Sequence, residues 1–342
     1  MGIEKGTRKY DILCTAVDDY IRTAQPITSG GLANTFTQIS TATLRNELNS
    51  LEAMGYMRQL HTSSGRVPTS EAYKVYVDYI LSNNKLDQTK VRRVQKNYEL
   101  QSVNLLNTLT SFAKGLSQLT NCPTVILQKG LQDLDIVNLQ IVPLIKKDAL
   151  LLVETVAGVI DESIPLSQDV DRNSCMDASD YLTKQFKGKT IRYMVDNINE
   201  VCLKAGTQVL GFKTIIDTVV TTLFKVTQKE VAVSREGTTK LYDHLTADEK
   251  EQMRDINAML EDKDRIAEII ENSDGDELTY RTGDPDLQNN MMMTTPIVIN
   301  GVNIASLALL APQRIDYASV AAAMKFISSQ VKNLEGEPEG ER

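Results

Sequence analysis

Few folds accommodate the stretch at residues 37–69, TQISTATLRNELNSLEAMGYMRQLHTSSGRVPT. Ser40 is a strong N-cap, because its side-chain oxygen accepts a hydrogen bond from an amide that a new helix leaves unpaired. A helix is therefore expected to begin there. Leu44, Leu48 and Leu51 recur at i, i+4 and i+7, with Met54 extending the row, which places one apolar stripe against a core. The opposite face carries Thr41, Thr43, Arg45, Asn46, Asn49 and Ser50 beside the capping Ser40. These short, donor-rich side chains are the type that a helix laid in a major groove uses on base edges and phosphates. Gly55 stands where a left-handed residue would end the helix. A strand is expected at 56–60, followed by a polar turn of His61, Thr62, Ser63, Ser64 and Gly65 that presents Arg66 near its tip. There the glycine lets the backbone turn, the hydroxyls reach phosphate oxygens, and Arg66 brings charge to the backbone or a minor groove.

A solvated surface helix carries similar residues, so the neighbouring elements decide between the two readings. Residues 10–23 hold Ile12, Leu13, Ala16, Val17, Tyr20 and Ile21 at helical spacing, and Pro26 ends that helix. A shorter helix fits 29–36, with Leu32, Ala33 and Phe36 facing inward, and Thr69 caps another whose stripe is Tyr73, Tyr76, Val77 and Ile80. Helix, short helix, turn, helix, strand, wing and helix is the winged helix-turn-helix order.

The segments ATLRNEL, LEAMGY, HTSSGRVPT and YKVYVDYI resemble the N-terminal domain of the HrcA family of heat-inducible transcription repressors. The closing ALLAPQRIDYASVAAAMKFISSQVKNL is similar to the family's last strand, Arg-Met-Asp-Tyr-type turn and last helix, with Ile315 at the methionine position. One departure stands out: where the family has a basic residue after the serine opening the second helix, this chain has Gly30 and Gly31. That removes a phosphate contact and weakens the helix by roughly 1 kcal/mol per glycine relative to alanine.

The rest of the chain reads as β-rich runs (TVILQ, VNLQIVPLI, ALLLVETVAGVI), then helices at 177–186, 191–205 and 209–226, and a strand-like EVAVS. A helical pair follows at 247–260 and 264–272, then strands in ELTYRTG, PIVIN and ASLALLAP and a final helix. A long helical pattern at 89–119 precedes all of these, and GEPEGER closes the chain as an expected acidic tail. Strands interrupted by helices and then resumed indicate an α/β domain carrying an insertion. The resemblance implies that this domain is GAF-like and that the insertion dimerises. The expected fold is thus α+β and multidomain: a winged helix-turn-helix at 1–82, a linker helix and first GAF-like part at 83–160, an inserted dimerising domain at 161–235, and the second GAF-like part at 236–342.

A net charge of −8 disfavours indiscriminate coating of nucleic acid. Residues 1–80 hold eight basic and eight acidic side chains, so binding depends on where the cations point. Cys14, Cys122, Cys175 and Cys202 form no C-x-x-C pair and only His61 and His244 accompany them, so no metal site is expected, and buried reduced thiols of a cytoplasmic protein are. No membrane span or signal segment is expected, and no cofactor. Neither GLQDLD nor SREGTTK has the spacing of a phosphate loop, and G-x-S-x-G and H-E-x-x-H are absent, which disfavours an enzyme. The run at 291–293 reads as adaptable core packing or as a partner-facing patch.

The resemblance implies a dimer on an inverted-repeat operator of double-stranded DNA upstream of chaperone operons, released by heat, with a GroEL-type chaperonin as partner. The alternative is a winged-helix regulator controlled by a small ligand in its GAF-like domain.

Overall fold

A computed structural model of the chain describes residues 3–59, 65–82, 105–144, 148–166, 170–205, 212–228, 230–235, 245–273, 275–287 and 290–332. The first part of the helix expected at 89–119, residues 89–104, and the acidic tail lie outside them.

The N-terminal part is built from α1 (Arg8–Thr23), α2 (Ser29–Ala33), α3 (Thr41–Ala53), β1 (Met57–Gln59), β2 (Arg66–Pro68) and α4 (Ser70–Ser82). Helix α1 buries Tyr10, Ile12, Leu13, Ala16 and Val17 and stops with Ala24 in the left-handed region, two residues before Pro26. Helix α2 is shorter than its apolar spacing implies. Its cap is Thr28, whose hydroxyl accepts from the Gly31 amide at 3.1 Å, and the chain turns at Asn34 and Thr35, poor helix residues that favour local turns. Met54 does not continue the leucine row: it follows the last turn of α3 and is 37% exposed. Thr69 does not cap α4 with its side chain. Its hydroxyl instead donates to the carbonyls of Gly55 (2.7 Å) and Tyr56 (3.1 Å), tying the start of α4 to the end of α3.

The remainder is organised on two antiparallel sheets. Helix α5 (Leu105–Thr120) leads into β3 (Thr124–Gln128), then β4 (Ile136–Pro143), β5 (Asp148–Thr155) and β6 (Gly158–Pro165). Helices α6 (Arg172–Phe186), α7 (Ile191–Ala205) and α8 (Phe212–Val226) precede β7 (Glu230–Ser234). Next come α9 (Ala247–Met259), α10 (Lys263–Glu271), β8 (Thr279–Thr282), β9 (Met291–Ile299), β10 (Val302–Ala311) and α11 (Tyr317–Lys332). The five-stranded sheet has the order β7-β3-β10-β9-β8, whereas β4-β5-β6 form a sheet of their own.

The chain thus leaves the five-stranded sheet after β3 and returns to it at β7. Strands β4, β5 and β6, which the sequence places largely in the first GAF-like part, pair only with one another, and EVAVS joins the main sheet beside β3 with Thr124 opposite Ser234. The β-rich run ALLLVETVAGVI is a hairpin, turning at Val156 and Ala157 so that Thr155 faces Gly158. Strand β4 has an open edge, and α6 covers it: the Thr183 and Ser179 hydroxyls accept from the amides of Leu139 (3.0 Å) and Ile141 (2.9 Å). On the main sheet, successive residues of β9 point to opposite faces, so Met291 and Met293 enter one apolar cluster and Met292 the other. All three are at most 1% exposed, which makes them core and excludes a partner-facing patch.

The N-terminal part docks on this body through α1 and α4. Tyr317, at the start of α11, is buried with its ring 5.9 Å from Tyr73 and 6.2 Å from Tyr76. Tyr280 donates to the Lys74 carbonyl at 2.8 Å, and Gln313 to the Ser70 hydroxyl at 2.7 Å. One continuous apolar cluster holds core residues of α1, α3 and α4 together with those of α5, β9, β10 and α11.

Candidate nucleic-acid interface

Helix α3 begins at Ser40, whose hydroxyl accepts the Thr43 amide at 3.1 Å and pairs with the Thr43 hydroxyl at 2.9 Å. Leu44, Leu48 and Leu51 are fully buried. Their burial turns the other face outward, and Ser40, Thr41, Arg45, Asn46 and Asn49 are exposed, with Thr43 half-buried. Thr41, Arg45 and Asn49 stand at i, i+4 and i+8 and so form one row along the helix. On the flank, Lys9 of α1 donates to the Ser50 hydroxyl at 2.7 Å and lies 3.8 Å from Glu47, fixing how far α3 stands from the bundle.

Strands β1 and β2 pair antiparallel with Met57 opposite Pro68 and Gln59 opposite Arg66. Ile27 adds a bridge on the far side, exchanging two backbone bonds with Arg66 at 2.7 and 2.8 Å. Gly65 is needed for this approach and not for turning: a Cβ there would stand 2.6 Å from the Ile27 carbonyl oxygen. Gly55 has the expected left-handed conformation, with φ +82°.

Arg66 is the first residue of β2, at the loop end of the ladder, opposite Gln59. Its Nε donates to Glu52 at 2.8 Å and its Nη2 to the Asn49 side-chain oxygen, and its side chain is only 13% exposed. The guanidinium that the sequence offers to the DNA backbone or a minor groove is here matched by the Glu52 carboxylate and braces Asn49. Glu52 was missed because its partner is fourteen residues away; only its position three residues after Asn49, on the same helix face, pointed to it. The ladder places Gln59 across from Arg66 on the same face of the hairpin. His61, Thr62, Ser63 and Ser64 lie outside the described residues.

Other chemistry is sparse. Among the described residues no group of three or more His, Cys, Asp or Glu side chains is placed to hold a metal ion. Cys14, Cys122 and Cys175 are buried thiols, and burial pushes Cys122 up to about 12. No described helix is long and apolar enough to cross a membrane. A cleft of about 580 Å³ opens where the N-terminal part meets the body, between Asp18, Arg22, Tyr76, Leu119, Arg314 and Asp316. Both faces of the five-stranded sheet are packed with buried side chains.

The profile of the HrcA protein C-terminal domain matches residues 107–321, well over half of the chain. The heat-inducible transcription repressor HrcA of Bacillus pumilus (strain SAFR-032) is 26% identical over 337 residues, spanning 95% of this chain and 96% of its own. The protein of the same name from Caldanaerobacter subterraneus subsp. tengcongensis is 29% identical over 336 residues, covering 96% of each. A crystal structure described as a hypothetical protein at 2.2 Å resolution is similar in fold, with a TM-score of 0.69 and 20% identity over 97% of this chain and 98% of that one. The profile match settles the family, and with it an identity that the N-terminal motifs and the closing QRIDY turn anticipate: the chain belongs to the HrcA family of heat-inducible transcription repressors.

Proposed function

We propose that the protein is a sequence-specific repressor that binds an inverted-repeat operator as a homodimer, with α3 in the major groove and the β1–β2 hairpin as a wing along the backbone. The observation that carries this is the exposed row Thr41, Arg45 and Asn49 with Asn46, braced by an internal ion pair on a helix whose other face is buried. Asn49 is held as a donor, since its oxygen is occupied by Arg66 and its amide nitrogen is left for a base or phosphate acceptor. Ser40, Thr41 and Thr43 sit at the helix N-terminus, where backbone amides and hydroxyls favour a phosphate. His61, Thr62, Ser63 and Ser64 would contact the sugar-phosphate backbone from the wing.

Two copies match the twofold symmetry of an inverted repeat and compensate for the modest charge of each N-terminal part. The insertion between β3 and β7, with its own sheet and three helices, is the element assigned to dimerisation, and the five-stranded part is read as the GAF-like domain. Family resemblance further assigns the operator to chaperone operons in the cytoplasm, with heat as the releasing signal and a GroEL-type chaperonin supporting the active fold. A repressor of marginal stability loses its DNA-competent fraction on heating when folding help is withdrawn.

Selection of bound duplexes from a random pool tests the reading. An inverted repeat with a fixed half-site distance is expected to emerge. A folded dimer that retards no duplex at low salt would refute it.

A further inference from the structure

The loop from Gln313 to Tyr317 reaches three separate points of the N-terminal part. The Arg314 fork grips Glu249 of α9, with Nε at 2.5 Å and Nη2 at 2.9 Å from the two carboxylate oxygens, and its Nη1 donates to the Ile21 carbonyl at 3.1 Å. Ile21 lies in the last turn of α1, whose carbonyls have no partner within the helix. Gln313 holds Ser70 at the start of α4, and Tyr317 is wedged under Tyr73 and Tyr76 in its middle. Gly283 lets β8 close on the same place, since a Cβ there would stand 2.8 Å from the Ser70 Cβ. The Arg314 and Glu249 side chains are 15% and 10% exposed, so the pair is largely withdrawn from water.

None of these contacts uses the outer row of α3, which stays exposed while α1 and α4 are docked. The docking therefore orients the reading helix without covering it. We infer that Arg314, Glu249 and Tyr317 are positioning residues that set operator geometry: by fixing α3 relative to the body, they fix the distance and phase between the two half-sites. This rests on the proposed dimeric operator binding, with the dimer made through the body. One added base pair moves a half-site by about 3.4 Å and about a tenth of a turn, an offset that a rigidly docked pair of helices cannot follow. A module released from the latch stays covalently joined to the body and can follow it, at the cost of effective concentration.

The test uses the full chain as Arg314→Met/Glu249→Gln, in which glutamine keeps the capping contact with Thr246 and no buried charge is left alone. Binding is measured on the selected inverted repeat and on duplexes with one base pair added or removed between half-sites. The native protein is expected to lose about tenfold or more in affinity per base-pair change, and the variant to bind the natural spacing about tenfold more weakly with a nearly flat spacing profile. Affinity for a single half-site is expected to be unchanged. Hydrogen exchange of the α4 amides, which needs no DNA, should rise in the variant. Should the first variant fail to fold, Gln313→Ala/Tyr280→Phe removes two cross-module bonds, and the same flattening is expected to a smaller degree. A folded variant with the native spacing profile, or with unchanged α4 exchange, overturns the inference. Native protein that binds no duplex sinks the operator reading itself, a result distinguishable from either.

Discussion

The guanidinium of Arg66 gives two donors to α3, Nε to Glu52 and Nη2 to Asn49. A cation already matched by a carboxylate contributes less counterion release than an exposed one. Arg45→Ala or Asn46→Ala is expected to cost about 1–3 kcal/mol of operator binding and to relax base preference. Arg66→Met is expected to relax preference through the freed Asn49 while leaving the salt slope nearly unchanged; a fall of about one in the slope, measured by titration across salt concentrations, would make Arg66 a phosphate contact after all. At this scale, what depended on neighbours in sequence was legible. Ser40 caps α3 and Gly55 ends it, because both roles are set by the local helix geometry. What depended on folding was not: Gly65 is required by the approach of Ile27, and Thr69 by the end of α3, and both partners come from other elements.

Among the elements, apolar periodicity located the helices well. The expected 191–205 is the observed Ile191–Ala205, and 247–260 overshoots Ala247–Met259 by one residue. Helix α6 starts five residues early because Asp171 caps it, accepting the Ser174 amide at 2.8 Å. Sheet membership was not legible, since β3 and β7 pair across about a hundred intervening residues and no local pattern encodes that partnership. Helix α2 is the weakest local element, with two glycines in five residues. Neither glycine has a positive φ, and an added Cβ would stand 4.0 Å (Gly30) and 3.4 Å (Gly31) from the Thr28 hydroxyl oxygen, within ordinary contact. Gly30→Ala and Gly31→Ala are each expected to stabilise the protein by about 0.5–1 kcal/mol, because alanine loses less conformational freedom on folding. The Gly31 amide still reaches Thr28. Thermal unfolding checks this, and unchanged or lowered melting in both would mean that the turn into α3 needs the glycines.

Across the whole molecule, the domain boundary expected after residue 82 set the N-terminal part apart from the rest, yet α1 and α4 share an apolar cluster with α11 and are bonded to the loop before it. That docking was hidden because Tyr73 and Tyr76 read as the stripe of their own helix and Tyr317 as the end of the QRIDY turn. Its polar side gives it a pH dependence. Burial raises the Glu249 carboxyl, but the hydrogen bonds and charge of Arg314 with the Thr246 amide outweigh that and hold it below its ordinary value of 4.5. The Arg281 hydrogen bond likewise lowers Asp284, which follows Gly283 at the Ser70 contact. A carboxylate whose folded value is depressed contributes stability that is present above its unfolded value and is lost as pH falls through the folded one. The docking should therefore be independent of pH near neutrality and loosen progressively below about pH 4.5. Hydrogen exchange of α4, followed from about pH 6 to about pH 3 and corrected for intrinsic exchange rates, should show the loss in the native protein and much less of it in Glu249→Gln, which lacks the titrating group. Equal acid sensitivity in both would place the responsible carboxylate elsewhere, with Asp284 the next to replace.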